Sequence, residues 1–416
     1  MRFEAFRLKP IILSNIAQMG FSRTTDIQFK AIPPIMNGDD VLAIAQTGTG
    51  KTAAFAIPAI DNLLSHRRKA DYNGVRCLIM EPTHELAQQT GRVVEQIANN
   101  TQLSVLVVHG GSNQEPQIEQ LKKGVDILIA TPGRLFDLVH QGYLKTFGAE
   151  ILILDEADHM LDMGFINDIR QIVKYLPKRR QTLFFSATID EKIKKLAYSL
   201  VVKPVNIRIS PKNMVAKNVT HTLIYVPMDE KRFFLERIYN ENPQSKFIVF
   251  VRTKIRAERV LQAMQRAGIE AANIHGDKSQ TERNASLDAF RQGKVRMLIA
   301  TDITARGIDL PALDYVVNYD VPDVPENYVH RVGRTGRGVN KGYAVTMCAT
   351  EESDYLAAVE DYLGGKIDVI NMSDADREAT IDFSQERNIN WKQMLSDEIE
   401  KELVREGKQG KKKKKK

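Results

Sequence analysis

Two successive acidic residues, Asp155 and Glu156, follow four strand-forming apolar ones, Ile151-Leu152-Ile153-Leu154. Such a run reads as a strand buried on both faces, the kind found inside a parallel sheet. The carboxylates then fall where that strand emerges at the sheet's carboxyl edge, where open α/β sheets bind their ligands. There, one carboxylate can hold a magnesium ion and the next can orient or deprotonate a water, as a nucleotide hydrolase requires. Acidic pairs also cap helices, so this pair alone leaves the two readings even.

A second stretch decides between them. Val41–Ile44 is a short apolar strand, followed by Ala45-Gln46-Thr47-Gly48-Thr49-Gly50-Lys51-Thr52 and an alanine-rich helix start. The glycines let backbone N–H groups curl around phosphates, Lys51 reaches the β/γ oxygens, and the Thr52 hydroxyl coordinates magnesium. Ala45 stands where the general motif has its first glycine, so the loop is a variant. A plain Gly/Thr-rich turn would need neither the Lys-Thr pair nor the preceding strand.

The elements that must position these residues alternate between strand and helix. Apolar strand patterns recur at Val41–Ile44, Cys77–Met80, Val105–Val108, Asp126–Ile129, Ile151–Leu154, Thr182–Phe185 and Val205–Ile209, which predicts a doubly wound sheet. The polar stretch 210–220 reads as a linker. A second alternation begins at Leu223–Val226 and continues with Phe247–Val251 and Val295–Ala300. Within it, Gln280 and Arg283 share a helix face at i, i+3. Thr301-Asp302 and Arg306-Gly307-Ile308-Asp309 follow the last of these strands. Further on, His330, Arg334 and Arg337 fall at i, i+4, i+7, the spacing of one helix side. Crowded cations repel unless an anion sits between them, and the glycines and threonine among them suit a helix end better than a helix interior.

The chain of 416 residues exceeds one ordinary core, so two domains and a tail are expected. Its net charge of +7 is concentrated in the run Lys411–Lys416; without those six, 53 basic residues face 52 acidic ones, and any nucleic-acid surface on the body must be a local patch. Cys77 and Cys348 suit neither a disulfide framework nor a zinc site and fit a reducing cytosol. No apolar run is long enough to cross a bilayer and the N-terminus lacks a signal peptide's apolar core. The reading is a cytoplasmic protein with no membrane segment.

Taken together, the phosphate loop, Asp155-Glu156-Ala157-Asp158 and Ser186-Ala187-Thr188 resemble a DEAD-box RNA helicase, and the detailed wording Val317-Asn318-Tyr319-Asp320-Val321-Pro322 is similar to bacterial RhlE-like members. The likeness covers residues 3 to about 365 and places each remaining motif. Gly20-Phe21 and Gln28 match the adenine-reading motif, with Phe3 as its more distant aromatic; a side-chain amide can both donate to and accept from a base edge. Thr24-Thr25-Asp26 replaces the family's Pro-Thr-Pro, which removes the loop's proline stiffening. In Pro82-Thr83-His84-Glu85-Leu86-Ala87, His84 stands for an RNA-facing arginine and offers no guanidinium fork. Gly110, Gly111 and Thr131-Pro132-Gly133-Arg134 resemble the first domain's other RNA loops, and Gln280, Arg283, Thr301 and Asp302 those of the second.

The resemblance implies an α/β chain of two tandem RecA-like domains with parallel sheets and a short C-terminal extension. Residues 1–209 form the first domain, 210–220 the linker, 221–365 the second domain and 366–416 the extension. It implies ATP with Mg2+ held by Thr52 and Asp155, a water positioned by Glu156, and ribose met by Asp309. His330, Arg334 and Arg337 would serve the γ-phosphate side, while Asp158, Ser186, Thr188 and Arg306 couple chemistry to the closing domain. The expected function is ATP-dependent local unwinding of short RNA duplexes by a monomer that grips the RNA backbone. An ATP-gated RNA clamp and a DNA translocase remain open as other classes. Beyond Lys366, residues 374–382 read as acidic, mixed and flexible. Trp391, Leu395, Ile399 and Leu403 recur every fourth residue as an amphipathic helix, either packed on the second domain or docking ribosomal or RNA-decay partners.

Overall fold

The computed structural model describes the chain except residues 47, 66–73, 112, 145–147, 210–214, 216–217, 306–307, 309, 311–312, 337–340 and 383–416. The amphipathic stripe from Trp391 to Leu403 and the terminal lysines therefore lie outside the described residues, as do Thr47, Arg306, Asp309 and Arg337. The chain divides into two compact units, the first chiefly Met1–Lys212 and the second chiefly from Asn213 onward.

The first unit carries strands β1 (Val41–Ile44), β2 (Cys77–Met80), β3 (Val105–Val108), β4 (Ile127–Ala130), β5 (Ile151–Leu154), β6 (Gln181–Ser186) and β7 (Val205–Arg208). They form a 7-stranded sheet in the order β3-β4-β2-β5-β6-β1-β7, parallel at every pairing. Alternate residues of these runs go to opposite faces. Ile151 and Ile153 enter one apolar cluster, and Leu152 and Leu154 enter the other. Helices cover both faces, which is why the strands read as uninterrupted apolar runs and not as alternations.

The second unit carries β8 (Val219–Tyr225), β9 (Phe247–Phe250), β10 (Ala271–Ile274), β11 (Met297–Ala300), β12 (Tyr315–Asn318), β13 (Gly342–Cys348) and β14 (Asp368–Val369). Its order, β10-β11-β9-β12-β13-β8-β14, repeats the first when each sheet is numbered from its own first strand, and it too is parallel throughout. The chain thus builds one topology twice.

Three local expectations shift. Strand β8 starts at Val219, inside the stretch read as linker, because Val219 is buried and pairs with Gly342 of β13. The pattern Ala271-Ala272-Asn273-Ile274 is too polar to announce a strand, yet it becomes β10 beside β11. Residues 374–382, read as an acidic flexible stretch, form a helix. The Ser373 hydroxyl accepts from the Asp376 N–H at 3.1 Å, Arg377 clamps Glu230 through Nε at 2.7 Å and also through Nη2, and Arg237 donates to Thr380 Oγ1 at 2.6 Å. Glu230 and Arg237 sit far away in sequence, so the acidic composition alone could not reveal them.

Candidate nucleotide and nucleic-acid sites

In the first unit, the loops after β1, β5 and β6 meet at one carboxyl edge, because those strands are neighbours in the order β5-β6-β1. After β1, Gly48 (φ 79°) and Gly50 (φ 92°) take left-handed conformations that a side chain would strain. A Cβ on Gly50 would also meet Gln28 Nε2 at 2.6 Å. The chain then enters the helix Lys51–Ser65, whose N-terminal N–H groups face an anion site by construction. Thr52 lies in that first turn.

Lys51 is buried, and its ammonium lies 2.7 Å from Glu156 Oε1 and 3.8 Å from Asp155 Oδ1. Burial alone would lower the pKa of the amine. The surrounding carboxylates of Glu156, Asp155 and Asp158 outweigh that and raise it, so the lysine stays charged. Burial pushes the Asp155 carboxyl up to about 6; Lys51 counters the rise and Glu156 adds to it. Glu156 itself adopts φ 49°, ψ 48° at the start of the helix Ala157–Asp162, a left-handed residue of the kind found where a side chain must be aimed. Asp155 Oδ1 accepts its N–H at 2.9 Å.

Asp158 ties this edge to the loop after β6. Its Oδ2 accepts from the Ala187 N–H at 3.1 Å, the Thr188 N–H at 2.9 Å and the Thr188 hydroxyl at 3.1 Å. Ser186 supplies backbone instead: its carbonyl accepts from the Ala45 N–H at 2.9 Å, and its hydroxyl finds no partner among the described residues. The loops of β1, β5 and β6 are therefore stitched together before any ligand is considered.

Gln28 reaches the same place from outside the sheet. Its Oε1 accepts from the Thr25 N–H at 3.0 Å and its Nε2 donates to the Gly50 carbonyl at 3.3 Å. One N–H and one lone pair of the amide are left for a base edge. The Thr25–Gln28 bond and the Thr24 N–H bond to the Met1 carbonyl at 3.0 Å hold the segment that lacks the family's prolines. Phe3 and Phe21 stack beside it, 6.3 Å between centroids.

Thr83 caps the helix His84–Ile97 by accepting from the Leu86 N–H at 3.3 Å, and Thr131-Pro132 opens the helix Pro132–His140. Both helix starts follow neighbouring strands, β2 and β4, and suit phosphates. The ring of His84 lies 4.8 Å from that of His109, tilted by 30°. Its Nε2 is within 3.7 Å of where a Cβ on Gly110 would stand, so Gly110 leaves that imidazole room. Arg134 donates to Gln117 Oε1 at 2.9 Å.

In the second unit, Gln280 opens the helix Gln280–Arg291 behind a Ser279 cap, and Arg283 donates to its amide at 3.4 Å. Thr301 shares a 2.9 Å hydroxyl contact with Thr304. Asp302 takes both oxygens to Arg331, so its carboxylate is engaged inside the protein. The helix Pro325–Val332 ends at Gly333. His330 is therefore helical while Arg334 lies just past the end, and the i, i+4 spacing of the sequence does not continue as one helix.

Two residues at these edges escaped the sequence reading. His109 precedes Gly110 without any motif of its own. Glu81 follows the apolar run Cys77–Met80 as Asp155 follows Ile151–Leu154, which was a legible signal. Glu81 is fully buried; burial first, and Asp155 next, push its carboxyl well above the ordinary carboxylate range.

A buried lysine on a glycine loop, facing paired carboxylates at a parallel sheet's carboxyl edge, defines a nucleotide-hydrolase class of site. A DEAD/DEAH box helicase domain matches residues 25–196, and a helicase conserved C-terminal domain matches residues 230–339. The ATP-dependent RNA helicase CshA of Listeria monocytogenes is 41% identical over 360 residues, 86% of this chain and 68% of that protein. The DEAD-box ATP-dependent RNA helicase RhpA of Helicobacter pylori is 37% identical, over 89% of this chain and 74% of that one. Among solved structures, S. cerevisiae Dbp5 bound to RNA and ADP BeF3 superposes with a TM-score of 0.79 at 28% identity, covering 93% and 99% of the two chains. This chain belongs to the DEAD/DEAH box helicase family. The finer likeness to RhlE-like members stays an expectation, since these relatives carry other names. Among the described residues, no helix is long and apolar enough to cross a membrane.

Proposed function

We propose that this chain is an ATP-dependent RNA helicase that grips RNA by its backbone, hydrolyses ATP and locally unwinds short duplexes. The observation that carries the reading is the Lys51 ammonium held between Glu156 and Asp155 at 2.7 and 3.8 Å. Two opposite needs meet there: a cation ready for phosphate, and carboxylates ready for a metal and a water.

ATP sits with its adenine edge on the free half of the Gln28 amide and its phosphates on the N–H groups of residues 45–52. Lys51 exchanges its carboxylate partners for the β/γ oxygens. Glu156, released from the ammonium, orients the attacking water and accepts its proton. Asp155 and Thr52 supply the hard oxygen donors that magnesium prefers, and Glu81 Oε2 is left buried beside Asp155 with no partner among the described residues. When bound, that cation neutralises phosphate charge. Arg334 and Arg337 carry the family's role at the γ-phosphate, and Asp309 its role at the ribose, on the resemblance alone.

RNA meets the helix starts at His84 and Pro132, Gly110-Gly111 and the Gln280–Arg283 face. Contacts to phosphate and 2′-hydroxyl give little base preference. The test is ATP-driven strand displacement on a short RNA duplex, with turnover stimulated by RNA and not by DNA of the same sequence. Turnover without displacement would make the chain an RNA clamp, and equal stimulation by DNA would make it a DNA translocase.

A further inference from the structure

Glu81 is a carboxylate for which the proposed mechanism has no catalytic role. It stands one residue beyond Met80, which pairs with Leu154 in the β2–β5 register, just as Asp155 stands one beyond Leu154. The Asp155 N–H donates to the Met80 carbonyl at 3.1 Å, so the parallel pairing persists through this point. Side chains alternate along strands. Met80 and Leu154 both enter the cluster on one face, so Glu81 and Asp155 both turn toward the other. That is the face packed by the helix Lys51–Ser65, several of whose residues join its cluster.

Only half of Glu81 is satisfied there. Oε1 accepts from the Thr90 hydroxyl at 2.6 Å; Oε2 is buried and has no partner among the described residues. An orphaned buried carboxylate oxygen is costly, and such atoms call for a partner the protein alone does not provide. Asp155, Glu156 and Lys51 are the charged groups that act on it. Thr90, from the helix His84–Ile97, fixes the carboxyl's orientation so that the second oxygen is presented and not folded away.

We propose that Glu81 is a third carboxylate of the nucleotide site, a positioning residue whose free oxygen accepts a hydrogen bond from water on the divalent cation held by Asp155. The inference rests on the reading of this edge as a magnesium–nucleotide site. Glu81 does not touch ATP or the reacting atoms. It holds the hydration shell, and through it the cation, in register with Asp155, as outer carboxylates commonly do for bound metals.

The test is the Mg2+ dependence of fluorescent ADP binding by the full chain, compared with Glu81→Gln. Removing an outer carboxylate costs about 10–100-fold in metal affinity, so the half-saturating Mg2+ concentration should rise about tenfold or more. Affinity for ADP in EDTA should stay at the wild-type value, a split that a general loss of packing would not give. Glutamine keeps the volume and the Thr90 bond. An unchanged Mg2+ requirement would therefore overturn the proposal and leave Glu81 as a neutral packing group. Thr90→Val provides a second readout, expected to raise the Mg2+ requirement less, and it carries the test if Glu81→Gln does not fold; no shift there overturns the proposal equally. If the wild type showed no Mg2+-dependent ADP binding, the nucleotide-site reading itself would fail, an outcome distinct from a shift absent only in the variants.

Discussion

Arg331 meets Asp302 fork to fork, with Nε 2.6 Å from Oδ1 and Nη2 2.6 Å from Oδ2. The arginine is almost fully buried, donates also to the Asp320 carbonyl at 2.7 Å, and lies over the Phe250 ring at 5.2 Å. The pair joins the loop after β11 to the helix that carries His330, and Arg334 hangs from it through a backbone bond to the Arg331 carbonyl at 3.0 Å.

Removing one partner of a buried pair strands the other charge, at about 3–5 kcal/mol. Asp302→Ala should therefore lower the unfolding midpoint of the second unit by roughly 10 °C and slow ATP turnover through misplaced Arg334. Calorimetry and an RNA-stimulated ATPase assay read the two effects separately, and an RNA titration reads affinity. A variant that kept native stability and lost only RNA affinity would return Asp302 to the role of an RNA contact.

Glu156→Gln preserves the shape beside Lys51 and removes the water's base. It should bind ATP and RNA with near-native affinity while turnover falls about 100-fold or more. Lys51→Ala should fail earlier, at nucleotide binding, since the loop loses its phosphate cation and two buried carboxylates lose their counter-ion. Equilibrium ADP binding together with single-turnover hydrolysis separates these outcomes. Native-rate hydrolysis by Glu156→Gln would remove this carboxylate from the mechanism.

The His84 ring lies 4.8 Å from that of His109, tilted by 30°, beside Gly110 at the edge proposed to meet RNA. Arginine at this position restores a permanent charge and should tighten RNA binding by about 1.5–3 kcal/mol at most, the worth of one charge-assisted bond. Wild-type affinity should rise as pH falls through the imidazole range near about 6.5, because protonation adds positive charge facing phosphate. His84→Arg should flatten that rise. Fluorescence anisotropy with single-stranded RNA at fixed salt measures both; pH-independent affinity in the wild type would turn His84 away from RNA.

The run Lys411–Lys416 has no apolar neighbours and acts through charge. Each phosphate neutralised on a single strand contributes about −0.7 to the slope of log affinity against log salt. With about three of the six engaged at a time, deleting them should flatten the slope by about 2 and weaken binding at low salt. ATP turnover at saturating RNA should not change. The same slope before and after deletion would leave the run as a solubility tail.

The sequence by itself determined everything that rests on local order. Ile151–Leu154 and Val41–Ile44 declare buried parallel strands because both their faces are apolar, and Gly48, Gly50 and Lys51 declare a phosphate loop because glycines allow the backbone to curl around an anion that the lysine then meets. The family likeness followed from the same short stretches. What the sequence left open depends on which strands become neighbours and where helices land. Glu81 comes to stand beside Asp155 only because β2 pairs with β5 in register, a choice made by tertiary packing. That Asp302 is forked onto Arg331 is likewise decided by contacts between distant segments, and the acidic segment 374–382 is held as a helix against Glu230 and Arg237. Periodicity reports which face of an element is apolar, whereas the partner of a buried charge is fixed by contacts between segments that the chain itself keeps far apart.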